Sequence, residues 1–245
     1  MRTAIVSVVE KNRLTLKKDD FWDSAISPDG QMLVTTDSGG RVRLWDMTGR
    51  LIDSFAPHEA RVRDAAFFPS GDRIVSASDD RRLKIWDLEG KVLHTLRSHK
   101  DAVLDVSVSS DGTRIASASG DRTVKIWTAQ GKILRTLRGH SSAVFTVTFS
   151  PDGKTVASAG EDRTVKLWET ETGKLLYTFD QHNSSILDIA FISDGQRIAS
   201  ADAAGKIIQW QPDGTVLKTI QAHSSAASSV DYSPDGTRLI SGGYD

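Results

Sequence analysis

The sequence predicts an all-β protein that folds as a single six-bladed β-propeller, with four antiparallel strands in each blade. The first observation behind this prediction is a set of five tryptophans spaced 41, 41, 41 and 42 residues apart. The second is a series of five histidines with nearly the same period, and the third is the turn sequence Ser-Pro-Asp-Gly, or a near copy, at six matching places. A repeat of about 40 residues built from short strands is typical of propeller blades. The tryptophans are Trp45, Trp86, Trp127, Trp168 and Trp210, and the histidines are His58, His99, His140, His182 and His223.

The strands of one unit follow from its alternation of apolar and polar residues, as residues 99–138 illustrate. "AVLDVSVS", "TRIASAS", "TVKIW" and "KILRTLR" are four short runs typical of strands. Asp111-Gly112 predicts a tight turn after the first run, and Gly120-Asp121 and Gln130-Gly131 predict the next two turns. Five complete blades are therefore predicted, at about residues 19–57, 60–97, 101–138, 142–180 and 184–221.

The two ends of the chain supply complementary halves of a sixth blade. The last unit stops at Asp245, which aligns with Asp121, and residues 2–16 continue the pattern that follows Asp121 in the third unit. Because an open sheet edge leaves backbone groups unpaired, we expect residues 226–245 and 2–16 to form one composite blade. This closure gives a single propeller over residues 1–245 and a monomer. The alternative is an open fragment of a larger propeller, or one that a second copy completes.

Composition and charge exclude several classes of function. The chain has 245 residues, of which 31 are basic and 32 acidic, so its net charge is −1. Nucleic-acid-binding proteins usually show a basic excess, and no nucleic-acid partner is expected here. The absence of cysteine excludes disulfides and suits a reducing compartment. Since no secretory signal, membrane-spanning stretch or phosphate-binding glycine motif is found, the sequence predicts a cytoplasmic protein without membrane contact or cofactor.

A histidine, a serine and an aspartate recur together with each tryptophan, and they invite comparison with a catalytic triad. An enzyme needs one such site with unique neighbours, so recurrence in several blades argues for a structural hydrogen-bond network instead. Either Ser117 or Ser119 can supply the serine, because residues two apart on a strand share a face. The predicted network residues are His58, Asp80 and Trp86 in blade two; His99, Ser117, Asp121 and Trp127 in blade three; and His140, Asp162 and Trp168 in blade four.

The network is uneven around the ring. Gly39 in blade one and Ala204 in blade five stand at the aspartate position, Lys17 stands at the first histidine position, and Ser7 replaces the tryptophan of the composite blade. We therefore expect blades two to four to be the rigid part of the protein. The Asp-Gly turns offer one carboxylate each, which is too few for a calcium site, and no metal site is predicted.

These residues resemble the WD-repeat family. The pattern of His99, Ser117, Asp121 and Trp127, and the Trp-Asp pair in "IWDLEGK" (85–91), are the features of that resemblance. The resemblance covers essentially the whole chain. It implies a propeller that acts as a non-enzymatic platform for protein contacts, and it also implies that seven blades are common.

Positions that differ between the repeats are free to serve a partner. The sharpest differences fall early in the first strand of each blade, near the mouth of the channel that the resemblance implies. The predicted partner-binding residues are Trp22, Arg61, Arg63, Leu104 and Phe145, together with Arg81 and Arg82 in a nearby turn. Arginine beside aromatic anchors is typical of interface hot spots, and an acidic or phosphorylated peptide would fit it. The alternative is that these side chains pack between blades or form ordinary solvated surface.

Three functional hypotheses remain open at this point. The first is a protein- or peptide-binding scaffold, such as the sensing or docking domain of a larger signalling protein. The second is a propeller enzyme with a site in the channel, which would need a unique inward-pointing cluster of ionisable groups. The sequence shows no such cluster. The third is a propeller fragment that self-assembles through unclosed edges.

Overall fold

The computed structural model describes residues 21–245, and every regular element within them is a β-strand. Blade one consists of β1 (Phe21–Ile26), β2 (Met32–Asp37), β3 (Val42–Asp46) and β4 (Leu51–Phe55). Blade two consists of β5 (Val62–Phe67), β6 (Arg73–Ser78), β7 (Arg82–Asp87) and β8 (Val92–Arg97). Blade three consists of β9 (Val103–Val108), β10 (Arg114–Ser119), β11 (Thr123–Thr128) and β12 (Ile133–Arg138).

The later blades repeat the same order. Blade four consists of β13 (Val144–Phe149), β14 (Thr155–Gly160), β15 (Val165–Glu169) and β16 (Leu175–Phe179). Blade five consists of β17 (Ile186–Phe191), β18 (Ile198–Asp202), β19 (Lys206–Trp210) and β20 (Val216–Gln221). Blade six is represented by β21 (Ala227–Tyr232) and β22 (Leu239–Gly243).

The predicted all-β architecture is confirmed. Blades one to five are four-stranded antiparallel sheets in simple consecutive order, and β21 pairs with β22 as a two-stranded sheet. The remaining half of the predicted composite blade, residues 2–16, lies outside the described residues. No helix within residues 21–245 is long and apolar enough to cross a membrane.

The core lies between blades rather than inside one sheet. First strands of neighbouring blades contact each other, as β1 does with β5 and β5 with β9, so the first strands form the inner layer of the assembly. Each buried cluster takes residues from two adjacent blades: Val75, Ile85 and Leu96 of blade two surround Trp127 of blade three. Burial of an aromatic ring in each such interface joins the blades through the hydrophobic effect.

A β-bulge interrupts the first strand of each blade, and this bulge organises the candidate site. The ladder between β5 and β6 skips from Val62 to Asp64, which leaves Arg63 at the bulge. The corresponding bulges hold Trp22, Leu104, Phe145, Leu187 and Ser228. A bulge leaves one residue unpaired and redirects its side chain. The positions that vary most between repeats are therefore those that the backbone releases from the sheet.

The bulge and one turn lie at the same end of every blade. In blade two, Val62 at the start of the first strand pairs with Ser78 at the end of the second, and the turn to the third strand follows at once. We call this end of the blades the rim edge; it carries the first-strand bulge and the turn between the second and third strands. The turns between the third and fourth strands lie at the opposite edge.

Candidate functional site

The structural network of blade three is complete. His99 Nδ1 lies 3.0 Å from Asp121 Oδ2, and His99 Nε2 lies 2.8 Å from Ser117 Oγ. Trp127 Nε1 donates to the same Ser117 oxygen at 2.9 Å. Since the indole nitrogen can only donate, the serine proton is available to His99 Nε2, and Nδ1–H is left to donate to Asp121. The network joins β10, β11 and the turn between them to the loop before the blade.

The structure settles which serine takes part. Ser119 Oγ instead donates to the carbonyl of Ala102 at 2.8 Å and accepts from the backbone of Asp121 at 3.1 Å. Ser117 is fully buried between the imidazole and the indole. The same arrangement holds in blades two and four, where the network residues predicted from the sequence come together through Ser76 and Ser158.

Burial and hydrogen bonding set the charges of this network. Burial lowers the pKa of His99, although Asp121 opposes that effect, so the imidazole is neutral near pH 7. Burial alone would raise the pKa of Asp121, but hydrogen bonds from His99, Thr123 and the backbone of Lys100 hold the pKa below its usual range. A histidine that is hydrogen-bonded to a fixed carboxylate, and that recurs in blade after blade, is a structural arrangement.

The expectation that blade five lacks its acid is wrong. His182 Nδ1 lies 2.7 Å from Asp202 Oδ2, and His182 Nε2 lies 2.7 Å from Ser200 Oγ. Asp202 sits two residues before Ala204, at the end of β18, and reaches the imidazole from the strand instead of the turn. Trp210 lacks the hydrogen bond that the tryptophans of blades two to four make, because its buried Nε1 has no partner among the described residues. Its ring stacks on Phe179 with a centroid separation of 4.5 Å.

Blade one uses the equivalent strand-end acid in another way. Asp37 is fully buried and forms an ion pair with Arg43. It also accepts from the backbone of Gly39 at 2.8 Å and of Arg41 at 3.0 Å. An aspartate occupies this strand-end position only in blades one and five, the two blades without a turn aspartate. That pattern was visible in the sequence and could have predicted the substitution.

Blade six keeps the histidine and the acid. His223 Nδ1 lies 2.8 Å from Asp245 Oδ1, and His223 Nε2 lies 2.9 Å from Ser241 Oγ. These side chains are more exposed than their counterparts in blade three. Ser7 and Lys17 lie outside the described residues.

The structure brings three of the predicted partner-binding residues together across the first two blades. The guanidinium carbon of Arg61 lies 4.4 Å from the centre of the Trp22 ring, and that of Arg63 lies 4.9 Å from it. Trp22 remains 48% exposed. Arg63 Nε donates to Asp79 at 2.7 Å, whereas Arg61 Nε is buried without a hydrogen-bond partner in the described part of the chain. We call Trp22, Arg61 and Arg63 the arginine–tryptophan cluster.

The other predicted partner-binding residues lie around this cluster. Arg81 is exposed in the adjoining turn, and Arg82 donates to Glu59 at 3.2 Å. Leu104 and Phe145 are half-buried at the bulges of blades three and four, so they continue the rim edge rather than joining the cluster. Arg61 and Arg63 flank Trp22 by stacking on its ring, and the role of these residues in partner binding stays a prediction.

Comparison with known proteins agrees with the geometry. The WD40 family, described as WD domain, G-beta repeat, matches six segments of the chain, at residues 11–46, 49–87, 90–128, 131–169, 173–211 and 214–245. The chain belongs to the WD40 family. WD40 repeats generally form scaffolds for protein contacts, and their propellers are typically without enzymatic activity. No curated protein matches this WD40 chain significantly.

Sequence reasoning missed a series of carboxylates on the inner strands of this WD40 propeller. Asp64 Oδ2 accepts from the backbone of Val106 in the next blade at 2.7 Å, and Asp105 Oδ2 accepts from the backbone of Val147 at 2.6 Å. Asp188 likewise accepts from the backbone of Val230 at 2.8 Å. These aspartates and Asp23 directly follow the bulge residue, and their recurrence at one position of the repeat was the available signal.

Burial perturbs this inner series strongly. Burial raises the pKa of Asp188 to about 7. It also raises the pKa of Asp64 well above its usual range, and the charges of Asp23 and Asp105 add to that rise. The inner strands therefore do gather ionisable groups, contrary to the sequence analysis. Each of the four carboxylates accepts a hydrogen bond from a backbone N–H of the following blade, so these aspartates link neighbouring blades.

Proposed function

We propose that this WD40 propeller is a non-enzymatic scaffold that binds a protein or peptide through acidic or phosphorylated side chains. The single observation behind this proposal is the stacking of Arg61 and Arg63 on the half-exposed ring of Trp22. Stacked guanidinium groups are held in a defined orientation while their edges can still donate hydrogen bonds. That geometry suits two-point recognition of a carboxylate or a phosphate.

The surroundings of the arginine–tryptophan cluster support an anionic partner. The hydrogen bond from Arg63 Nε to Asp79 fixes the guanidinium and leaves its terminal nitrogens for a ligand. Arg81 adds an exposed cation in the neighbouring turn. Beyond them, Leu104 and Phe145 offer half-buried apolar surface on blades three and four. A charged site beside apolar surface is the composition expected of a protein-binding patch.

The repeated ionisable groups favour binding over catalysis. The His-Ser-Asp network recurs in four complete blades, and the inner aspartates recur in four blades. A catalytic centre requires one constellation with unique neighbours. We also propose a cytoplasmic location, which the absence of cysteine supports. The role of docking domain in a larger signalling protein remains part of the same proposal.

The experiment is capture of partners from native extract by crosslinking to the intact chain. R61E/R63E and W22A variants should lose the captured protein, because they reverse the charge or remove the stacking surface. K91E/K132E is the matched control, since both lysines are exposed in turns at the opposite edge. Equal capture by the wild type and R61E/R63E would refute the proposed site. Loss of capture after phosphatase treatment of the extract would identify the anionic group as phosphate.

A further inference from the structure

Three arginines at the rim edge adopt a backbone conformation that favours glycine. Arg81, Arg122 and Arg163 have φ values of 69°, 68° and 64°, and they are the non-glycine residues with positive φ within residues 21–245. They occupy the same turn position in blades two, three and four. Blades one and five have glycine there, Gly40 with φ 81° and Gly205 with φ 79°.

The backbone does not require arginine at this turn. A left-handed backbone conformation is unfavourable for a residue with a Cβ atom, whereas glycine adopts it freely. The glycines of blades one and five complete the same turn without arginine. Strain retained at equivalent positions of a repeat points to a role for the side chain outside the fold.

All three guanidinium groups are exposed, and none makes a hydrogen bond or ion pair with another of the described residues. Carboxylates of the same loops already have partners. Asp79 pairs with Arg63 and Glu59 with Arg82. Three further carboxylates bind the network histidines: Asp80, Asp121 and Asp162. Asp101 accepts a hydrogen bond from the backbone of Ala102, and Glu161 accepts one from Ser142. Among the described residues, no carboxylate lies within ion-pair distance of Arg81, Arg122 or Arg163.

The strand order places these arginines in an arc. The first strand is innermost, and the turn after the second strand lies further from the axis at the same edge. Arg81, Arg122 and Arg163 thus form an outer arc over three consecutive blades. The bulge residues Arg63, Leu104 and Phe145 of these blades form an inner arc beside it.

We propose that the partner of this propeller contains an extended acidic segment that lies along the rim edge of blades two to four. Its carboxylates bind Arg81, Arg122 and Arg163, and its apolar side chains contact Leu104 and Phe145. This inference rests on the proposed function and extends it from the arginine–tryptophan cluster to a longer path. The half-buried apolar side chains of Leu104 and Phe145 beside these arginines favour a peptide over a nucleic acid as the occupant.

The test compares R81G/R122G/R163G with the wild type, using a fluorescent peptide of about 12 glutamates, which spans up to about 40 Å when extended. Loss of three exposed charge pairs predicts a loss of affinity of roughly tenfold. Because glycine relieves the positive-φ strain, the melting temperature of the variant should stay the same or rise. The matched control, K91Q/K132Q/K174Q, removes three exposed charges from the same blades at the opposite edge and should bind like the wild type.

Binding by R81G/R122G/R163G within about twofold of the wild type would overturn the inference, as would an equal loss in the lysine control. Tighter binding of an oligouridylate than of oligoglutamate would overturn the assignment to an acidic protein. The partner captured from extract separates the two proposals. If R61E/R63E loses that partner and R81G/R122G/R163G keeps it, the arc is refuted and the proposed function stands. If neither variant loses it, the proposed function itself fails.

Discussion

His182 Nδ1 lies 2.7 Å from Asp202 Oδ2, so blade five preserves the histidine–acid contact although its turn has no aspartate. In blades two to four the acid follows its histidine by 22 residues, and here the separation is 20. Two positions of the repeat, one at the strand end and one in the turn, can thus place a carboxylate at the same imidazole nitrogen. The network therefore accepts an acid at either position, provided that its carboxylate reaches the histidine Nδ1.

Replacement of Asp202 by alanine should destabilise the protein by about 2 kcal/mol, because the buried His182 N–H loses its charged acceptor. The double variant D202A/A204D should recover much of that loss, since Ala204 holds the turn position that carries the acid in blades two to four. Chemical denaturation measures both changes. D180A, at an exposed carboxylate, should have little effect. Failure of A204D to recover any stability would show that the two positions are not equivalent.

The two tryptophans Trp127 and Trp210 should respond differently to replacement by phenylalanine. W127F removes the hydrogen bond to Ser117, whereas W210F removes a buried N–H that has no partner within residues 21–245. We expect W127F to cost about 1–2 kcal/mol more than W210F in free energy of unfolding. W127A should cost about 3–5 kcal/mol, as a core truncation does. Equal costs for the two phenylalanine variants would contradict the hydrogen-bond assignment.

Asp188 should make stability depend on pH. Its pKa in the folded protein is about 7, above the value of about 3.9 in an unfolded chain, so the folded state binds the extra proton. Its contribution is complete below about pH 4 and is lost as the pH rises through about 7, with a change of roughly 2–4 kcal/mol. D188N should flatten this part of the profile and gain stability relative to the wild type at pH 8. Denaturation curves from pH 5 to 8 for the wild type, D188N and the exposed-site control D180N give the comparison. Parallel profiles for the wild type and D188N would exclude the effect.

Closure of the ring can be tested by a disulfide across the predicted seam. Ala116 pairs with Ile126 in blade three, and the corresponding residues of the composite blade are Ile240 and Val6. Ile240 is 65% exposed, whereas Ala116 is fully buried. V6C/I240C should crosslink within one chain, and the natural chain has no cysteine to interfere. Crosslinked dimers instead of monomers would favour the alternative in which a second copy completes the blade.

Hydrogen exchange should rank the blades by local stability. We expect amides of β10 and β11 to exchange most slowly, because blade three combines a complete network with packing on both sides. Amides of β22 should exchange fastest, since the His223–Asp245 contact is more exposed. Opening of blade three before blade six would contradict this order.

The repeat made most of the fold predictable, and the limits of the prediction have physical causes. Positions such as Trp127 and Asp121 recur in phase, so their shared role could be inferred without coordinates. Asp202 was missed because the repeats were compared one aligned position at a time. A carboxylate can reach the same histidine nitrogen from two different positions on the backbone. The stacking of Arg61 on Trp22 joins different blades and depends on where a bulge turns the side chain. The raised pKa of Asp188 depends on burial between blades, which the sequence does not record.

The bond from Asp64 to the backbone of Val106 uses a specific side chain on one blade and only a main-chain N–H on the next. Any residue except proline can provide that donor. A newly duplicated repeat can therefore form this hydrogen bond with the preceding blade whichever non-proline residue it has at the position of Val106. Because only one of the two blades needs a specific side chain, repeats can duplicate, recombine and diverge at the bulge during evolution and still bind the neighbouring blade.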